Sequence, residues 1–193
     1  MSAALIASDG SVLELNIGRW LDHRPAPEEV DVLQGVASPV LDVGCGPGRH
    51  VLALAERGKV ALGIDIAPHA IAIAKERGVP VLERSVFEHI PAAGRWRTGL
   101  LLDGNIGIGG DPAVLLSRIR ELLARSGTVV VEVEGPGVGV VPVTARIASG
   151  DELSPPFPWC RVGTDGIAEI ADAAGYACLR TSQKAGRWFS TLA

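Results

Sequence analysis

Residues 39–49 read Pro-Val-Leu-Asp-Val-Gly-Cys-Gly-Pro-Gly-Arg, and this order combines residue types that serve one kind of chemistry. Val40, Leu41 and Val43 suit a short buried strand with Asp42 near its end. Gly44, Gly46 and Gly48 follow at alternate positions, so the backbone can turn tightly and pass close to a ligand. His50, Val51, Leu52, Leu54 and Ala55 continue at helical spacing. Strand, glycine turn and helix start together describe the nucleotide-binding corner of an open α/β sheet. A dinucleotide fingerprint would place its third glycine one residue later, in the slot that Arg49 fills. Asp42 would repel a pyrophosphate there and favours a ligand that carries positive charge. Asp65 ends the next apolar run, 21 residues after Gly44, where a carboxylate accepts both hydroxyls of a ribose or caps the helix that begins at Pro68.

Asp42, the three glycines and Asp65 together resemble motif I and its acidic partner in the class I S-adenosylmethionine (SAM)-dependent methyltransferases. The resemblance runs from about Ser38 to the C-terminus, interrupted by residues 135–163. It implies a three-layer Rossmann-like α/β sandwich, with a seven-stranded, mostly parallel sheet and an antiparallel last strand. It also implies SAM as cofactor, held by Asp42, Gly44, Cys45, Gly46, Gly48 and Asp65, with Ile66 against the adenine face. Ser85 stands where the family carries an acidic contact to the adenine amine, so Ser85 and the amides of Val86 and Phe87 take that role or Phe87 is simply core. Asp103, Gly104 and Asn105 end the fourth strand and would meet the methionine part. Arg19, in a segment that folds over the cofactor in many relatives, would pair with its carboxylate or sit at the surface.

The elements needed to position these residues are legible around them. Pro27-Glu28-Glu29 opens a short helix to about Gly35, and a crossover helix runs from about Gly48 to Arg57, stopped by Gly58. Strands are expected at 59–65, 79–83, 99–103 and 127–134, with helices from Pro68 to Gly78 and from the Asp111 cap onward. Thr164 is expected to cap a helix to about Ala174, and 176–193 reads as two antiparallel strands around Ala185-Gly186. Strands alternating with helices call for a doubly wound, mostly parallel sheet. Residues 1–37 read as an N-terminal lid with a helix. Residues 135–163, rich in Pro and Gly, read as an irregular insertion with a strand at 140–148, the whole forming one domain of 1–193.

Substrate contacts are expected from Trp20, Asn105, Glu134, Arg146 and Trp159, because aromatic walls, cations and a strand-end carboxylate fall in segments bordering the crevice. The run Ile106-Gly-Ile-Gly-Gly110 either lets a substrate approach closely or is a plain loop. His50 and His23 are the candidate bases; His69 and His89 read as solvated, and the four histidines form no metal spacing. The Asn-Pro-Pro-aromatic signature of amino-methylating DNA and protein enzymes is absent, as is the Pro-Cys of cytosine C5 enzymes.

Composition narrows the class. A net charge of −4 disfavours a nucleic-acid surface, and Arg180, Lys184 and Arg187 read as solvated charges on the terminal hairpin. Three scattered cysteines give neither a disulfide framework nor a metal site, and neither a signal peptide nor a membrane-spanning run is evident. Fifteen arginines against three lysines fit a GC-rich bacterial source. The sequence thus points to a cytoplasmic, SAM-dependent methyltransferase, monomeric or homodimeric, acting on a small molecule by in-line displacement. A non-catalytic partner subunit of the same fold, or an enzyme transferring another group from SAM, are the alternatives.

Overall fold

A computed structural model describes residues 3–15 and 17–193. In chain order the elements are β1 (Ala3–Ala7), β2 (Val12–Leu15), α1 (Ile17–Leu21), α2 (Pro27–Gln34), β3 (Val40–Val43), α3 (Arg49–Glu56), β4 (Ala61–Asp65), α4 (Pro68–Glu76) and β5 (Val81–Glu83). Then come β6 (Trp96–Leu101), a 3₁₀ turn (Asn105–Gly107), α5 (Pro112–Leu122), β7 (Leu123–Val133), β8 (Val140–Ser149), β9 (Glu152–Leu153), β10 (Phe157–Val162), α6 (Ile167–Ala173), β11 (Cys178–Lys184) and β12 (Arg187–Leu192).

Seven strands form the main sheet in the order β11-β12-β7-β6-β3-β4-β5. The strands from β3 to β7 pair in parallel, as the α/β alternation requires. Of the terminal hairpin only β12 runs against its neighbours. It pairs antiparallel with β7, while β11, antiparallel to β12, points the same way as the other five. The expected antiparallel last strand is therefore β12.

Alternation along the central strands sends successive side chains to opposite layers. Leu100, Leu102 and Val130 pack with Leu33 of α2 and Leu54 of α3, whereas Leu101, Val129 and Val131 pack with Ile119 of α5 and Ile170 of α6. Asp111 caps α5 through the amides of Ala113 and Val114, with Pro112 at the first helical position. Thr164 caps nothing: α6 starts at Ile167 behind Gly166, and the Thr164 amide donates to the Glu134 carbonyl.

The largest departure lies in the two segments read as a helical lid and an irregular insertion. They form one antiparallel sheet of their own, β10-β8-β1-β2, with β9 on β8. Ala3–Ala7 pairs with Ala145–Ser149 across most of the chain length, a long-range pairing that neither segment advertises locally. Leu5, Ala7, Val143 and Ala145 form a small core of this sheet, with Leu15, Phe157 and Trp159 packed against it. Strand β10 joins the two sheets, because Cys160 and Val162 are part of the main core.

The glycines of 107–110 explain how β10 comes so close. A Cβ on Gly107 would lie 2.5 Å from the Trp159 ring and 2.5 Å from the Cys160 carbonyl, and one on Gly110 would lie 2.9 Å from Pro158. Of the two readings of this run, a close substrate approach or a plain loop, the space beside Gly107 and Gly110 is taken by β10. Gly107→Ala is expected to destabilise the protein by about 1–3 kcal/mol in urea unfolding and to alter the near-ultraviolet signal of Trp159. A variant as stable as wild type would show that this seat does not need the glycine.

Candidate active site

The strand–turn–helix corner forms as its residues dictate. Val40, Leu41 and Val43 are buried in β3, and Gly44, Gly46 and Gly48 all take positive φ (72°, 54° and 83°). A Cβ on Gly44 would fall 2.5 Å from the Asn105 amide and one on Gly48 2.7 Å from Val79, whereas one on Gly46 would meet nothing within 4 Å. The flanks of the loop are thus packed and its centre is open. Asn105 donates to the carbonyls of Val43 (2.9 Å) and Gly44 (3.0 Å). It braces the loop instead of reaching the substrate side.

Asp65 ends β4 beside this loop. One carboxylate oxygen accepts the Gly46 amide (2.7 Å) and the other the Ala67 amide (2.8 Å), so Asp65 both ties the loop and caps the entry to α4. A carboxylate offers about four acceptor sites, which leaves two for a diol. Ile66 (71 % exposed) and Phe87 (45 % exposed) stand apolar and uncovered along the same edge, while Val86 is buried. The Phe87 amide donates to the Ser85 hydroxyl (3.3 Å), and the Ser85 amide is taken by Glu88 (2.7 Å). The amides of Ser85 and Phe87 are therefore engaged locally, and the ring of Phe87 is offered to a ligand.

Asp42 does not face the loop's open side. It is buried, with His50 Nδ1 at 3.4 Å, and the other ring nitrogen of His50 lies 3.5 Å from Glu29. Glu29 is wholly buried at the third position of α2, where its Oε2 reaches back to the Ala26 amide (2.8 Å). Its Oε1 receives Arg19, Arg49 and Arg187, each at 2.8 Å. Arg49 and Arg187 also hold Asp103 (2.6 and 3.1 Å), and Arg187 forks onto Glu132 (2.7 and 2.6 Å). Asp103 has φ 55°, left-handed for a residue with a side chain, and its amide donates to Glu132 (2.7 Å). Glu29, His50 and Asp103 bring ligand atoms within 4.8 Å of one another, but the guanidinium of Arg49 already bridges both carboxylates.

These neighbours set the charge states. Burial alone would raise Glu29, yet His50 and Arg49 outweigh it and hold the carboxyl far below its ordinary range. Burial would likewise lower His50, but Asp42 and Glu29 overcome it and raise the imidazole to about 9. His50 is therefore a structural cation without access to a substrate, and His23 is exposed outside the cavity. Burial and the adjacent Asp103 push Glu132 up to about 7.

Beside the loop lies a cavity of about 400 Å³ between β2, β10 and the ends of β6 and β7. Arg19, Trp20, Asp103, Glu132, Glu134 and Trp159 are among its walls, as are Leu13 and Leu15 of β2. Arg161 forks onto Glu134 (2.9 and 2.6 Å) and reaches Asp9 in the β1–β2 turn (3.2 Å). Of the expected substrate residues, Trp20, Glu134 and Trp159 line the cavity. Asn105 does not, nor does Arg146, whose guanidinium donates to the Ser154 carbonyl. Arg19, Asp103 and Gly104, expected on the cofactor side, also border it.

Sequence reasoning missed Glu29, Arg49 and Arg187 as parts of this site. Arg187 was read as solvated; it is 14 % exposed at the centre of the acidic cluster. The only local signal was Glu29 at a capping position, which says nothing of its cationic partners.

The fold is a Rossmann-like α/β architecture. Residues 40–127 match the family model described as "Methyltransferase domain". The chain is 33 % identical over 146 residues to the 2-heptyl-1-hydroxyquinolin-4(1H)-one methyltransferase of Mycobacteroides abscessus, a match covering 72 % of this chain and 61 % of that protein. It therefore spans about three fifths of that relative's length. A SAM-dependent methyltransferase from Bacteroides fragilis, solved with S-adenosyl-L-homocysteine, superposes with a TM-score of 0.80 at 21 % identity, over 100 % of this chain and 87 % of the other. The 1,6-didemethyltoxoflavin-N1-methyltransferase of Burkholderia thailandensis gives 0.60 at 21 % identity, over 88 % and 76 %. The chain thus shares its Rossmann-like fold with SAM-dependent methyltransferases, and its residues 40–127 match the methyltransferase-domain model.

His50 sets a pH-dependent stability. A group whose pKa is raised from 6.5 unfolded to about 9 folded contributes fully below pH 6.5 and loses that contribution as pH climbs through 9. Urea unfolding of wild type should lose on the order of 3 kcal/mol relative to His50→Gln between pH 6.5 and 9.5. Parallel pH curves for the two proteins would show that His50 is not charged in the fold.

Proposed function

We propose that this chain catalyses SAM-dependent methyl transfer to a small-molecule acceptor. The observation that carries the reading is the shared wall: Asp103 and Gly104 border the cavity and adjoin the loop that Asn105 braces, so a donor on the glycine turn and an acceptor in the cavity would meet there. The residues fit the cofactor. The open centre of the loop at Gly46, two unused acceptor sites on Asp65, and the uncovered Ile66 and Phe87 suit a loop contact, a ribose and an adenine face. Arg19, with Glu28 and Glu29 as partners, borders the cavity where a carboxylate could join it.

When bound, SAM supplies a methyl group already activated by its sulfonium charge. The protein's part is then to align donor and acceptor and to exclude water. Trp20, Trp159, Leu13 and Leu15 suit a flat, mostly apolar acceptor, and Asp103, Glu132 and Glu134 supply polar anchors. The quinolone named for the M. abscessus relative has that character and heads the acceptor panel. On this reading β1, β2 and residues 135–163 form the substrate cover of a single domain 1–193, acting in the cytoplasm as a monomer or homodimer. Among the described residues no helix is long and apolar enough to cross a membrane.

Calorimetric titration with SAM and S-adenosylhomocysteine tests the proposal. Micromolar binding is expected, weakened about 10–100-fold by Asp65→Ala. Folded wild type that binds neither would make a non-catalytic subunit the better account.

A further inference from the structure

Resting on that reading, we propose that Glu132 is the proton acceptor of the transfer: it is ionised while the cofactor's positive charge is present and takes the proton that the acceptor gives up. Three observations carry this. Glu132 is the network carboxylate, apart from Asp103, that lines the cavity. Among the described residues its Oε1 accepts only from Arg187 Nε (2.7 Å), while Oε2 takes Arg187 Nη2 (2.6 Å) and the Asp103 amide (2.7 Å). One acceptor position on Oε1 is thus left for an O–H or N–H in the cavity.

The second observation is the charge balance. Ion pairs join Glu28, Glu29, Asp42, Asp103 and Glu132 to Arg19, Arg49, Arg187 and the His50 imidazolium. Among the described residues five carboxylates face four cations in these pairs, an excess of one negative charge. A monocation beside it balances the network, and so does one proton.

The third is the pairing of Arg187. It also holds Glu28, Glu29 and Asp103, so neutralising Glu132 leaves no guanidinium unpartnered. Glu134 cannot exchange a proton as cheaply, because it is the main partner of Arg161, whose other carboxylate is Asp9. Glu14 on β2 faces the same cavity without a place in the network. Burial and Asp103, which raise Glu132 to about 7, act in the same direction.

The balance of the step follows. A lone pair of the acceptor forms the new bond to the methyl carbon, and the pair of the broken carbon–sulfur bond stays on sulfur as a neutral thioether. The acceptor's proton moves to Oε1 of Glu132, so the network's charge partner changes from a sulfonium to a proton. Arg187, Asp103 and Glu29 hold the carboxylate in place throughout.

Calorimetry of SAM and S-adenosylhomocysteine at pH 7, in phosphate and in Tris, reads proton exchange without an acceptor. Wild type should release up to about half a proton on binding the cation and none on binding the thioether. Glu132→Gln should release none with either, while keeping its S-adenosylhomocysteine Kd within threefold as proof of fold. Absence of release in wild type, unchanged release in Glu132→Gln, or its loss in Asp103→Asn but not Glu132→Gln would overturn the assignment. Failure of both ligands to bind would instead remove the methyltransferase reading on which it rests.

Discussion

The interaction on which the site depends is the convergence of three guanidinium groups on the buried carboxylate of Glu29. Burying a charge is costly, and a buried ion pair recovers that cost only when geometry and additional hydrogen bonds are good. Here the carboxylate is matched on both oxygens, and its partners come from α1, α3 and β12. Removing one member would leave an uncompensated charge in the interior, which is why such a cluster ties elements together more firmly than its net stabilisation suggests.

The cluster also holds the chemistry in place. Asp103 keeps its left-handed backbone because Arg49 and Arg187 grip its side chain and Glu132 takes its amide. That segment is the wall shared by the glycine turn's neighbourhood and the cavity. The same arginines that grip Glu29 of α2 therefore also fix the position of this wall. An excess of one negative charge in such a network would complement a cationic ligand and oppose an anionic one.

The second antiparallel sheet supplies the other half of the cavity. It is built from two segments remote in sequence, and Gly107 and Gly110 let its β10 strand lie against the 3₁₀ turn. Arg161 of β10 then ties Glu134, at the end of β7, to Asp9 in the β1–β2 turn.

Much of this protein was legible in its sequence because local signals there coincide with the fold. The apolar run 40–43 with alternate glycines, Asp65 at the end of the next strand, and the Asp111-Pro112 cap each act through their immediate neighbours, and each forms as read. The parallel sheet followed from the alternation of elements. Tertiary structure alone decided the rest. Arg187 lies 158 residues from Glu29, and nothing in its own segment marks it as buried. Strand β1 acquires its partner only when β8 arrives, and the glycines at 107–110 are explained by a tryptophan some fifty residues away. Charge partners and sheet edges are set by what meets in space, and a one-dimensional pattern records only half of each such pair.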